Sequence, residues 1–291
     1  MDFTSTKVAQ KIYELIVELF PICRSLTGNG VRQSLALIKS VIPSLQLYEE
    51  PSGNRVYDWI VPDEWNIDDA YIVTPEGNRI AEFSKHNLHV LNYSTPINQE
   101  LSLEELQTHL YSLPEQPDYI PYVTSYYEKR WGFCLTDNVR KNLKPGKYRV
   151  VIDSTLEPGS LTYGEIKIEG RRKDKEVFLS TYICHPSLAN NELSGPGVLT
   201  YIAKWLRQNQ KYLNYSYRIV FVPETIGSIT YIHNNIEELK RNVICGFNVT
   251  CVGDNNNYSY LSSRTGATLA DRVAKHVMFW TDENYKSYSY L

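Results

Sequence analysis

The chain has 291 residues, 42% of them hydrophobic and 22% charged, with a formal net charge of −3 at pH 7. That balance belongs to a globular chain long enough for one large domain or two medium ones, and excludes an intrinsically disordered chain. No basic run is present to neutralise a phosphate backbone, so nucleic acid is not an expected partner.

The first twenty residues carry apolar positions at helical spacing (Val8, Ile12, Leu15, Ile16, Leu19), interrupted by Lys7, Gln10, Lys11, Glu14 and Glu18. They predict an amphipathic helix, not the unbroken apolar core of a secretory signal. No stretch of about eighteen apolar residues exists, so no membrane span is expected. Five cysteines (Cys23, Cys134, Cys184, Cys245 and Cys251) are odd in number and lack CxxC spacing. That argues against a disulfide framework and makes the cytoplasm the expected compartment.

Beyond Pro21, the glycines and asparagine of Arg24-Ser25-Leu26-Thr27-Gly28-Asn29-Gly30 mark a turn. Its place before a helix could suit an anion, but a structural turn is the stronger reading. A helix from Val31 to Val41 follows, and Leu45 to Tyr48 alternates as a short strand. From Asp58 the texture changes to short runs, Ala70–Val73, Arg79–Phe83 and Leu88–Leu91, parted by turn residues. Ser102 with Glu105 three positions on has capping-box spacing and predicts a helix start. After Pro145-Gly146 strands and helices alternate: Glu176–Ile183, Pro196–Gln208, Tyr217–Val222, Ile226–Leu239, Val243–Val252 and Thr265–Trp280. This alternation predicts an α/β protein whose mostly parallel sheet is flanked by helices. The expected division is an α/β domain of residues 1–57 and 146–291, with a β-rich domain of residues 58–145 inserted.

Ligands of such sheets bind beyond the carboxyl ends of the strands, so the strand exits carry the candidate chemistry. They read Cys184-His185-Pro186-Ser187, running on to Asn191-Glu192-Leu193-Ser194-Gly195; Pro223-Glu224-Thr225-Ile226-Gly227-Ser228; and Asn248-Val249-Thr250-Cys251-Val252-Gly253-Asp254. A lone His or Glu at a strand end is more often structural than catalytic. Two on neighbouring strands, each followed by a Ser- and Gly-containing helix entry, are harder to dismiss. Cys184 sits beside His185, and adjacent strand residues face opposite ways, so a buried core thiol is expected there. Asp153 and Glu165 flank a β segment and read as solvated surface.

These exits resemble the core of the co-catalytic zinc aminopeptidase superfamily. More closely, Arg24–Arg32, Asp58-Trp59-Ile60-Val61-Pro62, Asn87–Tyr93, Trp131-Gly132-Phe133-Cys134 and Cys184–Ser187 resemble a bacterial aminopeptidase-like family associated with polysaccharide biosynthesis gene sets. The resemblance implies a zinc-aminopeptidase-like fold and a metal-dependent hydrolase acting on a peptide or amide bond of a small-molecule substrate. It implies zinc as cofactor, His185 as a metal ligand, and Glu224 as general base or ligand. Asn191 falls where a bridging Asp is expected, Thr250 where another Asp ligand is, and Ser187 where an orienting Asp usually stands. An amide supplies one neutral oxygen where a bridge needs two anionic ones. Members of that family are longer, so the chain is expected to be C-terminally short, without the superfamily's late metal-binding His. The rival expectation is a catalytically weak or inactive relative whose crevice binds a peptide, an amino sugar or a partner protein. Oligomeric state is not legible.

Overall fold

The computed structural model describes residues 6–282 and 284–290. Helices α1 (Thr6–Leu19) and α2 (Asn29–Val41) lead into strand β1 (Gln46–Pro51). Two-residue strands β2 (Arg55–Val56) and β3 (Trp59–Ile60) precede β4 (Glu64–Val73) and β5 (Arg79–Ile80). Next come β6 (Ile97–Ser102), α3 (Leu103–Gln107), β7 (Leu110–Tyr111), β8 (Phe133–Cys134), α4 (Asp137–Lys141) and the long β9 (Lys147–Glu157). The remainder is β10 (Ser160–Ile168), β11 (Arg172–Tyr182), a π-helical turn (Ala189–Leu193), α5 (Ser194–Gln208), β12 (Tyr215–Val222), α6 (Ile226–Asn242) and β13 (Val243–Asn248). Strand β14 (Ser259–Leu261), α7 (Leu269–Thr281) and β15 (Lys286–Tyr288) end the described chain.

The main sheet has the order β1-β10-β12-β11-β13. Its β12–β11 and β11–β13 junctions are parallel, while β1–β10 and β10–β12 are antiparallel. The sheet is therefore mixed, which corrects the mostly parallel expectation. The reason lies in connection length. A parallel return needs a crossover of a dozen or more residues, as α5 and α6 provide. The chain between Ile168 and Arg172 is far too short for one, so β10 and β11 run in opposite directions.

Alternation along the strands distributes two cores. Ile166, Ile168, Ile219 and Phe221 point to one face, where α2 and α5 cover them with Val31, Leu35, Ile38, Leu199 and Ala203. Leu161, Tyr163, Val220 and Val222 point to the other, against Ile226 and Tyr231 of α6. Helix α1 lies on α5 through Val8, Leu15, Leu19 and Tyr201.

A second, fully antiparallel sheet has the order β5-β4-β9-β6. It has its own core, in which Ala70, Ile72, Val150 and Ile152 meet Leu106 and Phe133. Ser102 and Glu105 form the expected capping box at α3. The sheet extends past residue 145, because β9 is one of its two inner strands. Leu88–Leu91 is no strand: His86 caps a 3₁₀ turn over Asn87–His89 by accepting from the Leu88 N–H. Gly28 is required at the join between the sheets. Its φ is +98°, and a Cβ there would lie 2.0 Å from the Trp65 carbonyl oxygen. Nearby, Arg32 donates to Glu49 on β1, to both oxygens of Glu64 on β4 and to Ser160 on β10. At the α2 N-terminus, Asn66 Oδ1 accepts from the Asn29 N–H at 2.8 Å, which ties the glycine turn to β4.

Candidate active site

Parallel pairing sets Tyr182 of β11 beside Val222 of β12, so both strands leave the sheet at one edge. Three residues past Tyr182 comes His185, and two past Val222 comes Glu224. Their side chains converge: His185 Nε2 lies 3.3 Å from Glu224 Oε2. His185 is 7% exposed, whereas just over half of the Glu224 side chain is open to solvent, so the pair spans the wall and the mouth of one crevice.

The backbone is strained at all three exits. Ser187, Thr225 and Cys251 each have positive φ, at 45°, 58° and 52°. For the β-branched Thr225, with ψ at −84°, this is a rare conformation that costs about 1–3 kcal/mol. Such strain persists where surrounding structure over-determines a turn, and here it aims Glu224 at His185. Gly195, at the start of α5, allows the close approach behind the site. A Cβ there would fall 2.3 Å from Thr181 Oγ1 and 2.4 Å from the Val249 carbonyl oxygen.

Behind His185 lies a buried polar chain. Glu192, fully buried, lies 2.7 Å from His185 Nδ1 through Oε2 and accepts from the Cys184 N–H at 2.5 Å through Oε1. Arg24 Nε stands 3.8 Å from Glu192 Oε1 and donates to the His185 carbonyl at 3.0 Å. Arg24 Nη1 donates to the Leu19 carbonyl at 2.7 Å, while Nη2 is buried without a partner. Burial pulls the Arg24 guanidinium below its ordinary pKa, against the opposing pull of Glu192. Cys184 is a core residue whose Sγ accepts from the Glu224 N–H at 3.2 Å and lies 3.4 Å from His185 Nδ1, and burial pushes its thiol well up. Tyr122 and Tyr182 stand edge-on to His185, at 5.1 and 5.4 Å between ring centroids. Burial pushes the Tyr182 hydroxyl up to about 12.

Of the three residues proposed from sequence, the structure brings His185 and Glu224 together and leaves Asn191 outside the pair. Tyr182 donates to the Asn191 carbonyl at 2.6 Å and to its Oδ1 at 3.2 Å, and the side chain is exposed. The physical reason is the π turn at Ala189–Leu193, whose wider winding carries Glu192 inward and Asn191 outward. Thr250 donates to the Tyr182 hydroxyl at 2.5 Å. Ser187 donates to the Phe20 carbonyl and accepts from Asn87, so it orients nothing at His185. Sequence reading missed Arg24 and Tyr122 and passed over Glu192. The one available signal was a carboxylate amid small and apolar residues at a helix entry.

Cys184, His185 and Glu192 bring ligand atoms within 4.8 Å of one another, the spacing of a metal pocket. Both Glu192 oxygens are already engaged there, and a cation entering would meet Arg24.

The mixed α/β fold of this chain resembles that of zinc aminopeptidases. It superposes on BSAP, a zinc aminopeptidase from Bacillus subtilis, with a TM-score of 0.60 at 12% identity, covering 97% of this chain and 84% of that one. At that identity the likeness is one of fold alone. The chain belongs to the family described as a domain of unknown function, DUF4910, which matches residues 13–291. A Clostridium acetobutylicum protein named for polysaccharide biosynthesis and an aminopeptidase-like domain is 46% identical over 281 residues, which is 97% of this chain and 64% of that protein. A crystal structure of a protein described as a peptidase from the same organism is 44% identical with a TM-score of 0.93, covering 98% of this chain and 66% of that one. The chain thus spans just under two thirds of the length of these relatives. No helix among the described residues is long and apolar enough to cross a membrane.

Proposed function

We propose that the crevice at the ends of β11 and β12 is the substrate site of an aminopeptidase-like hydrolase for a peptide or amide bond, with Glu224 as general base. The 3.3 Å approach of His185 Nε2 to Glu224 Oε2 across two strand exits carries this reading. An exposed carboxylate on a strained turn can take the proton of a water directed at a carbonyl and return it to the leaving amine. Tyr122 and Tyr182 narrow the wall beside His185 and limit bulk water there. Tyr122 belongs to the segment between β7 and β8, so the reading gives the second sheet, as an inserted unit, a share in the substrate wall. The Clostridium relative's name adds amides of amino sugars to the substrates worth trying. A cytoplasmic location is part of the same reading, supported by five free cysteines.

Zinc is the ion that the Bacillus neighbour's name suggests. A catalytic zinc takes three protein ligands and keeps one position for water. His185 and Glu224 are spaced about as two ligands of a tetrahedral ion with bonds of roughly 2.0–2.1 Å would be. No third donor joins them among the described residues, since Asn191 is neutral and held by Tyr182. The set therefore does not fit a complete catalytic zinc site, and no step above passes through one. That shortfall favours a second reading, a crevice that binds a peptide, an amino sugar or a partner protein without turnover. Hydrolysis of a panel of aminoacyl chromogenic amides, with zinc, manganese or cobalt added, separates the two. Turnover that falls roughly 10²- to 10⁴-fold in Glu224→Gln supports the hydrolase. Turnover unchanged in that variant would remove Glu224 from the chemistry, and none in the parent chain would leave the binding reading.

A further inference from the structure

An aromatic run leads out of the crevice from His185. Tyr122 stands edge-on to the imidazole at 5.1 Å between centroids and shares a hydrogen bond with the Tyr126 hydroxyl. Tyr126 meets Tyr127 edge-on at 6.5 Å, and Tyr127 meets Trp59 of β3 at 5.4 Å with 66° between the ring planes. Exposure rises outward: Tyr122 and Tyr126 are partly buried, whereas Tyr127 is 57% exposed. Burial, and after it Cys184 and Glu224, push the Tyr127 hydroxyl up, so the outer end of the run borders Glu224. The run is held in place from behind His185. Asn92 exchanges backbone hydrogen bonds with Val123 and Ser125, at 2.9 Å each. Its side chain donates to the Arg24 carbonyl at 2.9 Å and accepts from Ser25 at 2.6 Å.

We propose that Trp59 and Tyr127 form a subsite that seats the sugar ring of an amino-sugar amide beside Glu224. The proposal deepens the hydrolase reading and rests on it for turnover, though not for binding. An aromatic corner alone would suit any apolar group. What narrows the ligand is that neither the Trp59 Nε1–H nor the Tyr127 hydroxyl has a hydrogen-bond partner among the described residues. An aliphatic side chain seated there would strip water from both groups and leave them unmet, which weakens binding. A pyranose ring has apolar C–H faces to lay on an aromatic face, and hydroxyls around its edge for the two polar groups. The run contains no charged side chain, so it selects a neutral ring, and an amide carried on that ring is brought to Glu224.

The test is saturation-transfer difference NMR with N-acetylglucosamine as probe and leucine amide as the apolar comparison. The sugar's ring C–H protons should be saturated in the parent chain. Binding should weaken about tenfold in Trp59→Ala and in Tyr127→Ala. Tyr127→Phe, which keeps the ring and loses the hydroxyl, should weaken it about threefold. Should Trp59→Ala fail to fold, Tyr127→Ala at its exposed position decides alone. No saturation in the parent chain, undiminished binding in Tyr127→Ala, or tighter binding of leucine amide through the same two residues would overturn the proposal. Sugar binding that survives in Glu224→Gln, in a chain that hydrolyses no amide, leaves the subsite standing and sinks the hydrolase. Glu224-dependent hydrolysis of aminoacyl amides without sugar binding does the reverse.

Discussion

Two arginines are wholly buried in this molecule, and they are provided for very differently. Arg218, on the α6 side of the main sheet, meets Glu176 at 2.6 Å, Glu165 at 3.1 Å and Glu238 at 2.8 Å, and Tyr231 shares the cluster. Arg24, behind the crevice, has one carboxylate at 3.8 Å and an Nη2 with no partner. A saturated cluster locks one arrangement of β10, β12, β11 and α6. Arg24 is under-satisfied beside strained turns, and strain of that kind is in general concentrated where proteins bind or react. A third arginine, Arg32, is 28% exposed and makes the solvated end of the series.

The largest expected effect is at Arg218. Arg218→Met leaves Glu165 and Glu176 buried and uncompensated and should cost about 3–5 kcal/mol, read from the denaturant midpoint of unfolding. Arg24→Met strands a single carboxylate that keeps both its hydrogen bonds, so about 2 kcal/mol is expected in the same measurement. Equal losses at the two positions would erase the distinction drawn here. The smallest effect belongs to Arg32 and Glu64. The Arg32 hydrogen bonds hold Glu64 down to about 2, from an ordinary 4.5. A depressed carboxylate stabilises the fold above its unfolded value and loses that contribution as pH falls through the folded one. Glu64→Gln should therefore cost about 1 kcal/mol at pH 7. The difference should fade between roughly pH 4.5 and 2, which paired unfolding titrations can follow.

What the sequence made legible was local. Helices α1, α2 and α5, the capping box at Ser102 and the two strand exits follow from spacing and from residues a few positions apart. So does the approach of His185 to Glu224, since parallel neighbours expose their exits at one edge. What it hid was set at a distance. Glu165 read as surface because a strand carboxylate looks solvated, yet it is 5% exposed and its partner Arg218 lies 53 residues on. The antiparallel junctions depend on how tightly β10 turns into β11, which strand patterning does not express. The Val243–Val252 reading overshot because β13 leaves the sheet at Asn248, and apolar residues continue after it. The inward side chain of Glu192, one place beyond Asn191, was hidden because no residue pattern announces a π turn, and one such turn changes which side chain faces inward. The Ser187 departure consequently mattered less than expected, since Glu192 supplies the carboxylate at Nδ1 from seven residues further on.

The register between the two sheets also bears on how the chain reaches this fold. Glu64 pairs with Glu157 at the near end of the second sheet, and Pro51 pairs with Ser160 at the near end of the first. Pairing β1 with β10 in an open chain means closing a loop from residue 51 to residue 160. Once β4 lies against β9, the free path shrinks to the short stretches 52–63 and 158–159. At about 0.6 kcal/mol per doubling of loop length, that lowers the entropy cost of the long-range pairing by about 1–2 kcal/mol. The smaller sheet is thus a clasp in chain-entropy terms, and the edge β1 gives to the main sheet is cheapest to form after it has closed.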